Sequence, residues 1–160
     1  MKPKVYLETT ISSLLTGWPS RDLILAADQQ VTREWWQTRR ADFQLFISQV
    51  VLDESGEGDS TAAAARLEVL RDLPVLEVNA DVEQVAKAVL KTGLIPPKAA
   101  NDALHLAIAA VHRMHFLLTW NCRHLANAAL GSALATACHQ AGFEMPVICT
   151  PRELIVKPSK

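Results

Sequence analysis

Short apolar runs alternate along the chain with longer segments in which apolar residues recur every three or four positions. The short runs have the length and composition of buried strands, and the longer spacing is that of one face of a helix. Five strands are predicted in this way, at 5–7, 43–47, 74–78, 116–119 and 146–149. Helices are predicted around 11–15, 21–40, 50–54, 61–73, 80–92, 98–113, 130–141 and 151–155.

This alternation predicts the fold class. A strand that is followed by a helix and then by another strand needs a crossover connection, and such connections produce parallel sheets with helices on both faces. We therefore predict a three-layer α/β/α fold with a mostly parallel central sheet of four to five strands. Because the sequence contains no internal repeat and no linker, we expect one domain over residues 1–160.

Polar residues at the ends of the helical segments predict where individual helices begin and stop. Ser60 is the predicted N-cap of the helix over 61–73. Either Asn79 or Asp81 is expected to cap the following helix, which stops at Gly93.

Composition and charge narrow the function classes. The 160 residues are 49% hydrophobic and 21% charged, which is ordinary for a globular protein and argues against disorder. The net charge of −1 also argues against a strongly basic protein that coats nucleic acid. Any nucleic acid must then be held at a local patch or through a metal ion.

The cysteines and the N-terminal residues indicate the cellular compartment in which the protein is expected. Cys122, Cys138 and Cys149 form no CxxC pair and are odd in number, so they predict neither a disulfide framework nor a zinc site. We interpret them as buried thiols in a reducing cytoplasm. The first apolar run is too short for a signal peptide, and no later run is long enough to cross a membrane. We therefore expect a soluble, cytoplasmic protein.

Polar side chains follow the first and fourth predicted strands directly. Glu8 comes after the first strand, and Thr119 and Asn121 come at the end of the fourth. In open parallel sheets, ligands bind beyond the carboxyl ends of the strands, so these side chains are expected at one edge. Glu54 lies within the element that follows the second strand. Taken singly, each of these residues has an ordinary explanation, as a solvated acid or a turn residue.

Asp102 begins a helix that is otherwise nearly all apolar. A carboxylate in such surroundings needs a partner, because an unpaired buried charge is costly. Lys98, four residues earlier, is one candidate partner. The alternative is a metal ion shared with other carboxylates, which would also account for Glu8 and Asn121.

Four segments stand out by their order and spacing along the chain. They are Tyr6-Leu7-Glu8-Thr9-Thr10, Ser48-x-Val50-x-x-x-Glu54, Asn101-Asp102-Ala103-Leu104-His105-Leu106-Ala107 and Leu117-Leu118-Thr119-Trp120-Asn121. Taken together, they resemble the signature segments of PIN-domain nucleases. The VapC-like toxins of type II toxin–antitoxin systems are the most similar kind. The resemblance implies Mg²⁺- or Mn²⁺-dependent cleavage of RNA by a cytoplasmic homodimer that has a cognate antitoxin protein.

The resemblance also implies roles for individual residues. Glu8, Glu54 and Asp102 match the acidic metal ligands of the family, and Asn121 matches the fourth, more variable acidic position. We assign Glu8 and Asp102 as the main ligands and expect Glu54 to hold a second ion or orient water. Thr9 and Thr119 match hydroxyl residues that flank the site. We regard Arg123 and His124 either as contacts for the RNA phosphates or as ordinary loop residues. His105 is interpreted as a packed helix residue, with a hydrogen bond to a site carboxylate as a further option.

The sequence departs from the family pattern at two positions. Glu8 stands where the family usually has aspartate, and Asn121 stands where an acid is common. These departures support an alternative function, a catalytically impaired PIN-like module that binds RNA or protein. An aspartyl-phosphate phosphatase is disfavoured, because it would require aspartate after the first strand.

A tryptophan pair lies among arginines in the helix over 21–40. Trp35 and Trp36, with Arg33, Arg39 and Arg40 nearby, have the composition of a surface on which single-stranded RNA stacks. The same composition is typical of packing or of a protein interface. We favour packing or an interface.

Overall fold

Five short strands form one sheet in the computed structural model, which describes residues 1–159. Their order across the sheet is β3-β2-β1-β4-β5, and every pairing is parallel. The prediction of a mostly parallel sheet of four to five strands is confirmed. The strands are β1 (Lys4–Leu7), β2 (Gln44–Ser48), β3 (Val75–Leu76), β4 (Phe116–Leu118) and β5 (Val147–Cys149).

Helices flank the sheet and complete the three-layer α/β/α architecture. They are α1 (Thr9–Thr16), α2 (Leu23–Thr38), α3 (Gln49–Ser55), α4 (Ser60–Leu70), α5 (Ala80–Lys91), α6 (Ala100–Val111), α7 (Ala128–Gln140) and α8 (Pro151–Leu154). Helix α1 packs against α2, α3 and α4, and α2 packs against α8. A separate group forms where α5 packs against α6 and α7. Two 3-10 turns, Arg40–Asp42 and Pro97–Ala99, precede β2 and α6.

The core is centred on β1 and α6. Val5, Tyr6 and Leu7 are fully buried, as expected for a central strand of a parallel sheet that is covered on both faces. In α6, every residue from 105 to 110 is buried as well. This burial explains why both segments are apolar almost throughout, and it makes the polar members Tyr6 and His105 conspicuous.

The register of the two central strands aligns the ends at which the polar residues stand. Leu7 pairs with Leu118 across β1 and β4, and the Glu8 amide donates to the Leu118 carbonyl at 3.1 Å. Glu8 and Thr119 therefore leave the sheet side by side at its carboxyl edge. The sequence-based expectation that these residues share an edge is confirmed.

Some predicted boundaries differ from the structure. Ser60 is the first residue of α4 rather than its cap, because the Asp59 side chain accepts from the Ala62 amide at 2.9 Å. Asn79, not Asp81, caps α5. The third strand is only two residues long, and α7 begins two residues earlier than expected because Asn127 caps it.

The two tryptophans of α2 lie in different environments. Trp35 is fully buried and stacks on Phe43, so packing is confirmed, and Trp35 is not available to stack on RNA. The guanidinium of Arg40 lies over the Trp36 ring, 4.4 Å from its centroid.

The prediction of three buried thiols is wrong for Cys122, which is exposed because it lies in the turn after β4. The remaining two cysteines, Cys138 and Cys149, are buried.

Within residues 1–159, no helix combines the length and the apolar character that are needed to span a membrane.

We expect Asn79→Ala to lower the free energy of unfolding by about 1 kcal/mol, because it removes the oxygen that accepts from the Val82 amide. Asp81→Ala is the matched control, since Asp81 lies in the same helical turn and contributes only through the helix dipole. Urea denaturation of both variants measures the difference. Equal losses in the two variants would contradict the assignment of Asn79 as the cap.

Candidate metal centre

Glu8 lies at the junction of β1 and α1, where its side chain is turned back as the N-cap of α1. Its Oε1 accepts from the Thr10 amide at 3.1 Å, from the Thr10 hydroxyl, and from the Thr119 hydroxyl at 2.7 Å. The residue is only 5% exposed. Glutamate is an uncommon N-cap, and here its carboxylate folds back over the start of the helix.

Glu54 lies in the last turn of α3 and faces the same edge. Its Oε1 accepts from the Thr9 hydroxyl at 2.6 Å and lies 2.6 Å from Nε2 of His105. Its Oε2 accepts a longer bond, 3.4 Å, from the Asn101 amide. Burial raises the pKa of Glu54, but the bonds from His105 and Thr9 outweigh that effect, so the pKa lies below its usual value.

The structure brings three of these side chains together. Glu8, Glu54 and His105 each offer a ligand atom, and the three atoms lie within 4.8 Å of one another. Two of the residues were predicted as metal ligands. The third, His105, was predicted as a packed residue with an optional hydrogen bond to a site carboxylate. The burial and the hydrogen bond are both present.

Asp102 is held separately, by a histidine in the turn after β4. Its Oδ2 lies 2.9 Å from Nδ1 of His124, while no ion pair with Lys98 forms within the described residues. Asn121 organises that turn, since its Oδ1 accepts from the His124 amide at 3.0 Å. The structure thus gives Asn121 a role in shaping this turn, and ligation of a metal by Asp102 or Asn121 stays a prediction.

The carboxylates of Glu8, Glu54 and Asp102 are hydrogen-bonded in the same way. In each, the protein holds one oxygen and leaves the other with little or no hydrogen bonding inside residues 1–159. Oε1 of Glu8, Oε1 of Glu54 and Oδ2 of Asp102 are the oxygens that are held. A carboxylate fixed through one oxygen presents its second oxygen in a defined direction, as metal-binding carboxylates do.

The donor set fits a divalent metal ion. None of the three carboxylates forms an ion pair with a lysine or arginine in the part of the chain that the structure describes. Concentrated negative charge at a largely buried edge is costly unless a cation balances it. Carboxylate oxygens are the ligands that Mg²⁺ and Mn²⁺ prefer.

Two hydroxyl residues contact the carboxylates directly. Thr9 donates to Glu54 and Thr119 donates to Glu8, and their role as residues that flank a metal site stays a prediction. Arg123 is exposed in the turn after β4, next to His124. Its contact with phosphate stays a prediction.

A buried network behind Glu54 was not assigned from the sequence. The Tyr6 hydroxyl lies 2.6 Å from Nδ1 of His105 and 2.7 Å from the Ser48 hydroxyl. All three residues are fully buried. The available signal was a polar residue inside each of two strongly apolar segments, at Tyr6 and at His105.

Neither a protein-family model nor a curated protein matches this sequence.

We expect Glu54→Gln to reduce stability in a pH-dependent way. Because the pKa of Glu54 in the fold lies below its ordinary value of 4.5, its stabilising contribution is complete above that value. The contribution is lost as the pH falls through the lowered pKa. Urea denaturation from neutral pH to about pH 3 should therefore show the variant less stable at neutral pH, with the difference shrinking below 4.5.

Asp53→Asn is the control for this experiment, because Asp53 is exposed on the same helix and bonds only to the Gln49 side chain. A difference between Glu54→Gln and the wild-type protein that stays constant with pH, or grows as the pH falls, would contradict the role of the ionised Glu54 carboxylate.

Proposed function

We propose that this protein is a divalent-metal-dependent endoribonuclease of the PIN type, and that its site is the carboxylate group at the edge of β1 and β4. The observation that carries the proposal is the approach of Glu8 and Glu54 within 4.8 Å, each with one oxygen held and one available. The order of the four signature segments supports RNA as the substrate. The parallel three-layer fold agrees with that resemblance.

The proposed chemistry is hydrolysis of a phosphodiester bond. A bound Mg²⁺ or Mn²⁺ would supply an activated water and neutralise charge on the phosphate. Glu8 and Glu54 would hold the ion through their Oε2 atoms, because their Oε1 atoms are occupied. Asp102 would add its Oδ1 as a further ligand or hold a water, with its direction fixed by His124.

The residues around the carboxylates would bind and orient the RNA. The turn after β4 carries Arg123 and His124 beside Asp102, where a guanidinium would pair with a phosphate. The overall charge of −1 gives no long-range attraction for RNA, so binding would depend on this local contact and on the metal ion.

Protein partners belong to the same proposal. Trp18, Leu23 and Ile24 are almost fully exposed around the start of α2. Neighbouring exposed apolar side chains mark surfaces that bind other proteins. A homodimer in the cytoplasm and a cognate antitoxin are the partners that the toxin resemblance implies.

We expect the purified protein to cleave labelled RNA in the presence of Mn²⁺ or Mg²⁺ and not in EDTA. Glu8→Gln and Glu54→Gln should each reduce the rate at least about 100-fold, since even residues outside the ligand shell cost 10–100-fold. Asp53→Asn, an exposed acid on the same helix as Glu54, should cleave at the wild-type rate.

Cleavage that persists in EDTA, or in the Glu8→Gln and Glu54→Gln double variant, would overturn the proposed mechanism. Absence of cleavage on every RNA tested, together with retained binding of RNA or of a protein partner, would instead favour the catalytically impaired module.

We also expect Glu8→Asp to weaken Mn²⁺ binding about 10-fold, although aspartate is the usual residue of the family. The shorter side chain cannot keep the α1 cap and also reach Thr119, so the free oxygen would lose its direction. Isothermal titration calorimetry measures the change, and Glu83→Asp on the exposed first turn of α5 is the control. Unchanged or tighter binding would show that the site is not fitted to glutamate.

A further inference from the structure

We propose that His105 is a positioning residue that donates its Nε2–H to Glu54, and that it is not a metal ligand despite its place beside the two carboxylates. The direction of the hydrogen bond between His105 and Glu54 is a property of the metal-free protein. Only its effect on metal binding rests on the proposed function. Proximity alone would make His105 the third ligand, because its Nε2 lies 2.6 Å from Glu54 Oε1 and a ring nitrogen lies within 4.8 Å of a Glu8 oxygen.

The position of His105 leaves its ring no freedom. The side chain is fully buried, and both ring nitrogens are engaged, Nδ1 with the Tyr6 hydroxyl and Nε2 with Glu54 Oε1, each at 2.6 Å. The Tyr6 hydroxyl continues to the Ser48 hydroxyl at 2.7 Å. Ser48 in turn caps α3 and accepts from the Val51 amide.

The direction of these hydrogen bonds can be followed from Ser48, at one end of the network. The Val51 amide donates to the Ser48 oxygen at 3.4 Å, and the Tyr6 oxygen is the only acceptor among the described residues for the Ser48 proton, so that proton points to Tyr6. Tyr6 then donates to Nδ1 of His105, which leaves the ring proton on Nε2. That proton points at Glu54 Oε1, so every donor has an acceptor.

The opposite direction, which a metal ligand would need, leaves buried groups unsatisfied. If Nε2 carried a lone pair, Nδ1–H would donate to Tyr6 and Tyr6 would donate to Ser48. The Ser48 proton would then have no acceptor among the described residues, and a buried donor without a partner costs about 1–3 kcal/mol. The Nε2 lone pair would also face a carboxylate oxygen at 2.6 Å.

The consequence is a fixed orientation for Glu54. Its Oε1 is held by His105 together with Thr9, and its Oε2 keeps only the long bond from Asn101. His105 would therefore act on a metal ion through Glu54 rather than by direct contact.

The tautomer can be measured without metal or RNA. In ¹⁵N NMR of the metal-free protein at neutral pH, we expect His105 to show a protonated Nε2 and an unprotonated Nδ1. Tyr6→Phe should leave the proton on Nε2, where Glu54 Oε1 still accepts it, and should shift the Nδ1 resonance, because the donor to Nδ1 is gone. Ser12→Ala is the matched control, since it removes another buried hydroxyl that pairs with a serine, Ser55, outside this network. A wild-type His105 that is protonated at Nδ1 alone would overturn the inference.

Metal binding supplies the second measurement. In Mn²⁺-loaded protein, pulsed electron paramagnetic resonance should show no directly coordinated imidazole nitrogen. His105→Met should weaken Mn²⁺ binding about 10-fold, whereas His105→Gln, which keeps an N–H donor, should lose less. A coordinated nitrogen that disappears in His105→Gln would overturn the positioning role and leave the nuclease proposal standing.

The two proposals can fail separately. If the wild-type protein binds no Mn²⁺, the proposed function fails, while the NMR tautomer still decides the role of His105.

Discussion

The candidate site depends on one constraint, which is that a carboxylate removed from water must receive hydrogen bonds from the protein around it. Glu8 meets this constraint with donors from two elements, Thr10 at the start of its own helix and Thr119 at the end of the neighbouring strand. The parallel pairing of Leu7 with Leu118 sets these residues level. The register of the central strands therefore determines whether the buried carboxylate is satisfied, and the helical layers on both faces hold that register.

The parts of the fold that could be predicted from the sequence are those with local signals. Apolar runs located every strand, and alternation with helices implied the parallel order that places Glu8 near Thr119. The pairing of Asp102 with His124 could not be predicted, because it depends on a turn whose shape comes from the Asn121 side chain and not from any periodicity. Lys98 was the candidate partner for Asp102 that lay nearer in sequence. Spacing along one segment, however, gives no information about a turn that is brought close to it by the tertiary fold.

The network behind Glu54 was hidden for a different physical reason. Tyrosine and histidine have apolar bodies with polar tips, so a pattern of apolar positions counts them as core residues. Tyr6 and His105 do pack as core residues, on β1 and α6 respectively. Only the three-dimensional approach of β1, the end of β2 and α6 converts their tips, together with Ser48, into a continuous chain of hydrogen bonds.

The direction of that chain also bears on which metal the site would select. With Nε2–H of His105 donated to Glu54, the ligand atoms that Glu8, Glu54 and His105 leave available are carboxylate oxygens. Oxygen ligands suit Mg²⁺ and Mn²⁺, whereas a free imidazole nitrogen would favour zinc and other later transition metals. Tyr6 and Ser48 fix the proton on Nε2 of His105. Residues that do not contact the metal ion would therefore determine whether the site prefers Mg²⁺ and Mn²⁺ or later transition metals. The same hydrogen bonds that satisfy a buried acid would then give the site its chemical selectivity.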